Sequence, residues 1–271
     1  MNPRLILNKN PAILSKKDFD ISCLESETLQ RLYHQTTSYV QNLRIEIIAN
    51  KKDYWSRETH PAATIGLPVQ NPTIQFANSL DREQRIEAVA HELVHLLLVY
   101  RYGLGVIGLR IPHFENSQDI FDFFMSVSGD WDYLLGQIAN TVHHLILIDY
   151  LREEYGIESD LHLHLLQHNF RIIANDKSRD KESLYARGLI AFEYEELMGK
   201  VDRGINPFCQ TEFFWKAYHS AQKYFGRHGF RSIPTPSSYE ENILSFLGTL
   251  GYQRENFLFF PEEKRDLCLN I

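Results

Sequence analysis

Two histidines spaced four apart, with a glutamate directly after the first, stand at His91-Glu92-Leu93-Val94-His95. On an α-helix residues i and i+4 share a face, so His91 and His95 can each offer an imidazole nitrogen to one metal ion at about 2.0–2.1 Å. Glu92 then lies one position round the helix, beside the open side of the metal. That arrangement suits hydrolysis: Zn2+ lowers the pKa of a bound water toward about 7, and the carboxylate takes the water's proton and passes it to the leaving amine. Chance supplies only about 0.04 copies of this five-residue pattern in a chain of such composition.

The flanking residues, Ala88-Val89-Ala90 before and Leu96-Leu97 after, are small or apolar and carry no other charge. A helix of this kind is buried, and burying two histidines and a glutamate among Leu and Val costs several (~2–7) kcal/mol unless they are paired. A metal ion satisfies all three at once.

The segment resembles the zincin metallopeptidases, whose active-site helix carries an HExxH motif with uncharged flanks and follows a short edge strand. The likeness in layout spans Leu43 to Tyr102, and in detail about ten residues around the motif. It implies that His91 and His95 are ligands of one Zn2+ per chain and Glu92 the general base. It also implies that Pro72 to Phe76 is the edge strand that holds an extended peptide or protein substrate. The chain departs from two branches of that group. Metzincins continue with Gly at 98 and His at 101, where this chain has Leu98 and Arg101; the other motifs of peptide deformylases are missing.

A catalytic zinc takes a third protein ligand and keeps its fourth position for water. Glu115 and Asp119 reproduce the ExxxD spacing of thermolysin-like enzymes, but Glu115 follows Pro112-His113-Phe114 and precedes the capping residues Asn116 and Ser117, which puts it outside the next helix. The segment Ile138 to Asp149 is apolar nearly all round, and within it Asn140 and His144 form an i,i+4 polar pair that can face the site. His144 is therefore the favoured third ligand, ahead of Glu115 and His143, with Asp149 and Glu153 behind. Asp149 could instead orient a ligand histidine through its second nitrogen. His162 and His164 are two apart and point away from each other on a helix, so a second metal site built on His162, His164 and His168 is disfavoured. Tyr100, Tyr102 and Tyr150 are candidates for stabilising an oxyanion.

The elements that must position these groups are legible from periodicity. Leu43 to Ala77 reads as short strands, Leu43–Ile48 by alternation and Pro72–Phe76 as a β-prone run. Asp81 with Gln84 forms a capping box that opens a helix running to Tyr102 and closing at Gly103 and Gly105. Helices are predicted at 117–126, 131–155, 161–173, 181–198, 211–225 and 239–250. The expectation is an α+β fold, a small N-terminal sheet with its active-site helix followed by a mostly helical portion, in one domain over 1–271 with a helical extension from about 156.

Composition excludes other classes. The chain has 271 residues, 44% hydrophobic, ample for a core. A net charge of −7 with scattered basic pairs argues against nucleic acid and anionic membranes as partners. Cys23, Cys209 and Cys268 make no CxxC pair, which points to a reducing cytoplasm. The N-terminus shows no secretion signal and no run approaches a bilayer span. Oligomeric state and substrate are not encoded in any motif. The rivals to a peptidase are a non-catalytic zinc-bearing binding protein and a hydrolase of a non-peptide amide. Glu92 counts against the first, because a structural zinc needs no base.

Overall fold

A computed structural model describes residues 16–48, 62–65, 71–110, 130–173, 180–199, 211–226 and 232–260. The fold is α+β and mostly helical. Its first sheet contains β1 (Lys16–Asp18), β2 (Arg44–Ile48), β3 (Ala62–Ile65) and β4 (Thr73–Ala77), in the order β1-β2-β4-β3. β2 and β4 run parallel, with Arg44 opposite Thr73, and the two outer pairings are antiparallel. The predicted strand at Pro72–Phe76 therefore exists as β4, but it lies inside the sheet between β2 and β3. The outer strands are β1 and β3, and β3, the one beside β4, was not assigned by the sequence reading. The burial of β4 explains its place: Ile74, Gln75, Phe76 and Ala77 are all buried, whereas β3 is only partly covered, as an outer strand should be.

Helix α1 (Glu27–Thr37) precedes β2, and α2 (Arg82–Tyr100) follows β4. The capping box of α2 is present: Asp81 accepts from the Gln84 amide and Gln84 from the Asp81 amide. Leu93, Val94, Leu96, Leu97 and Leu98 are fully buried, so this helix is covered nearly all round. Gly103 adopts the left-handed conformation at φ +70, which lets the Leu104 amide reach back to the Leu98 carbonyl and end the helix.

Four of the five remaining helices follow the predicted spans closely: α3 (Asp130–Tyr150), α4 (Asp160–Ile173), α5 (Lys181–Met198) and α6 (Glu212–Phe225). α3 runs on into a wider, π-type turn over Leu151–Tyr155. α7 (Pro236–Leu250) begins three residues earlier than expected because Thr235 caps it, with Pro236 at the first position. A second pair of strands, β5 (Val106–Leu109) and β6 (Phe257–Phe260), brings the two ends of the helical portion together. The predicted helix at 117–126 lies outside the described residues. Among the described residues no helix is long and apolar enough to cross a membrane.

One cluster of buried apolar side chains runs from Ile21 to Phe259 and takes in the sheet and helices α1–α3 and α5–α7. Its tightest approach is between α5 and α6, where a Cβ on Gly188 would stand 2.4 Å from the Phe214 carbonyl and 3.0 Å from Ala217 Cβ. Alanine is the better helix former by about 1 kcal/mol, but the clash is with backbone and overpacking costs about 1–3 kcal/mol. Gly188→Ala is therefore expected to lower stability by about 1–2 kcal/mol in urea unfolding; equal or higher stability would contradict this packing.

Candidate metal centre

Helix α2 brings His91, Glu92 and His95, α3 brings His143 and His144, α4 brings His162 and α5 brings Glu193 to the wall of one cavity of about 340 Å³. The edge strand β3 lines it with Ala62, Ala63 and Thr64. His91 Nε2 and His95 Nε2 are 3.1 Å apart. Two nitrogens sharing a tetrahedral ion at about 2.0–2.1 Å stand about 3.3 Å from each other, so the pair has the spacing of a shared ion. The ring of His144 lies 5.0 Å from that of His91 and 5.2 Å from that of His95. Ligand atoms of His91, His144 and His162 lie within 4.8 Å of one another.

Hydrogen bonding behind the imidazoles assigns their tautomers. The Tyr239 hydroxyl donates to the Gly105 carbonyl at 3.0 Å. Its one proton is thus committed, and Tyr239 Oη accepts from His143 Nε2–H at 3.2 Å. Burial, reinforced by His144, pulls the His143 imidazole down to about 3, so the ring is neutral and its Nδ1 carries a lone pair. That lone pair accepts from His95 Nδ1–H at 3.2 Å. His95 Nε2 is left with its lone pair turned toward His91.

The opposite wall has a matching device. His144 Nδ1 stands 2.7 Å from Glu193 Oε1, so the ring donates there. Thr141 Oγ1 and Gln137 Nε2 donate to Glu193 Oε2 at 2.8 and 3.2 Å and fix the carboxylate. Burial raises the Glu193 carboxyl, but His144 and His162 beside it outweigh burial and hold it well below the usual carboxylate range. Glu193 is therefore ionised. Burial, and secondly the neighbouring imidazoles, push His91 and His95 well below the ordinary histidine value. Neutral imidazoles with bare nitrogens are the form a metal binds.

Glu92 is 9% exposed, and its Oε2 accepts from Thr64 Oγ1 at 2.7 Å. The edge strand thus holds this carboxylate at the cavity. Glu87, one turn earlier on α2, accepts from the Leu161 and His162 amides at 2.8 Å each. Its carboxylate caps α4 and ties that helix to α2.

Of the residues singled out by sequence, the structure brings His91, Glu92, His95 and His144 together. His143 stands behind His95 as a hydrogen-bond partner. Asp149 does not reach the site: it pairs with Arg152 at 2.5 Å, and Glu193 holds the orienting position considered for it. Glu153 is also remote, with its carboxylate largely exposed near Arg152. Tyr102 and Tyr150 pair at 3.4 Å beside a different cavity lined by Arg31 and Arg101, and Tyr100 lines neither. Glu115 and Asp119 lie outside the described residues.

His162 and His164 do point apart, and this sends His162 inward while His164 faces another cleft beside Asp160. The structure sets His162 beside His91 and His144, not with His164 and His168. Glu193 was also missed, although a lone carboxylate after Leu189-Ile190-Ala191-Phe192 is a visible signal. Tyr239 left no signal, because its role depends on α7 packing against His143.

The chain matches no family model, and no curated protein or solved structure is significantly similar to it. Tyr239→Phe removes the partner of both the Gly105 carbonyl and the buried His143 N–H. A loss of about 1–3 kcal/mol in urea unfolding is expected; stability within experimental error of wild type would contradict the tautomer assignment.

Proposed function

We propose that the protein is a zinc-dependent peptidase of zincin-like layout, with one Zn2+ per chain on His91, His95 and His144 and Glu92 as the general base. The observation that carries this reading is how the rings are held: His95 and His144 are each tied through Nδ1 from behind, by His143 and Glu193, while the Nε2 atoms of His91 and His95 stand 3.1 Å apart in the cavity. Metal-binding histidines are commonly fixed in this way, through the ring nitrogen that does not face the ion.

Bound there, zinc would supply Lewis-acid polarisation of a carbonyl and lower the pKa of a water. The chain's own residues do the rest. Glu92 takes the proton from the water and delivers it to the leaving amine. Thr64 holds the Glu92 carboxylate and, being on β3, couples its position to the strand that meets the substrate. An extended peptide adds to β3 on the side away from β4, beyond Ala62 and Ala63, and is thereby aligned along the cavity. Cytoplasmic residence is part of the proposal and fits the exposed, free Cys23; Cys209 and Cys268 lie outside the described residues.

Elemental analysis of protein purified without added zinc is expected to find one zinc per chain, and its loss in His95→Ala and His144→Ala. Glu92→Gln should keep the zinc and lower peptide cleavage by about 10²–10⁴-fold; retained cleavage would remove Glu92 from the chemistry. Glu193→Gln should weaken zinc binding by about 10–100-fold in chelator competition, since the His144 orientation loses its charged anchor. A wild-type chain that takes up no stoichiometric zinc, even when offered it, would end the peptidase reading.

A further inference from the structure

His162 has no part in a three-histidine zinc site, yet its side chain lines the same cavity. Two contacts from α2 place it: the Glu87 carboxylate accepts the Leu161 and His162 amides, and the His91 ring stacks on the His162 ring at 4.9 Å and 26°. The His144 ring meets it edge-on at 4.2 Å. Its ligand atom belongs to the group with His91 and His144 that lies within 4.8 Å. Its Nε2 is buried and makes no hydrogen bond of normal length, its contact being the Glu193 carboxylate at 3.6 Å. A buried ring nitrogen with so long a contact gains from a closer partner.

From this placement we infer that His162 is a fourth protein ligand, closing the metal with His91, His95 and His144, and that Glu87 latches it there. The inference rests on the zinc-site reading above. A zinc held by four protein ligands has no position for water, as in structural sites. The resting chain is thus latent, and the water's place opens only when the start of α4 moves and withdraws His162. The Glu87 carboxylate, joined to two amides of that first turn, is the contact that must break. A substrate strand seated against β3, across the same cavity, is the agent placed to compete with it.

The test uses the full chain loaded with Co2+, read by visible absorption, with azide as the external ligand and with folding followed by circular dichroism. Wild type is expected to give a four-coordinate spectrum that azide at millimolar concentration leaves unchanged. His162→Ala, and His162→Gln as a variant closer in size, should retain cobalt about tenfold or more weakly and give spectra that azide shifts. Glu87→Ala should become azide-sensitive without losing a ligand, and peptide cleavage should rise in all three. Cobalt bound to wild type, lost in His95→Ala and His144→Ala, but equally azide-sensitive with and without His162, would overturn this inference and leave the peptidase reading standing. Wild type that binds no cobalt or zinc overturns both.

Discussion

Five imidazoles and a charged carboxylate share a cavity between packed helices, and each ring nitrogen there must be given a proton, an acceptor or a metal. This accounting governs the site. Gly105 fixes the Tyr239 proton, Tyr239 fixes His143, and His143 fixes His95; Glu193 does the same for His144. An unpaired buried donor or acceptor costs about 1–3 kcal/mol, so each link in these two chains restricts how the rings can turn.

The surrounding fold is arranged to keep those chains in register. α2 is buried nearly all round, so its rotation is fixed and His91, Glu92 and His95 have one orientation available. α5 approaches α6 over Gly188, which holds Glu193 at its depth behind His144. The strand pair β5–β6 places Gly105 where Tyr239 reaches its carbonyl. Residues from α3, α5, α7 and the turn before β5 thus hold the back side of the site.

Elements with strong local signals were legible in the sequence. The Asp81–Gln84 capping box marked the start of α2 correctly, and the apolar periodicity of α3, α4, α5 and α6 gave their spans. The i,i+4 polar pair of Asn140 and His144 in an otherwise apolar helix pointed to the cavity that His144 lines. What failed were judgements that depend on contacts between distant segments. β4 and β3 are both short and apolar, and only pairing decides that β4 is interior and β3 the edge. His162 was weighed with its sequence neighbours His164 and His168, although its true neighbours, His91 and His144, are 71 and 18 residues away in the chain. Asp149, close in sequence to His144, was the natural guess for an orienting carboxylate, but it points to Arg152 while Glu193 arrives from another helix.

The central claim is that these nitrogens converge on one metal ion. Anomalous diffraction collected on either side of the zinc edge, from crystals of the protein grown with zinc, tests it directly. The account predicts a single strong peak in the cavity, within about 2.0–2.1 Å of nitrogens from His91, His95 and His144. No peak there, or zinc held only at surface residues, would contradict it and leave the histidines as a hydrogen-bonded core cluster.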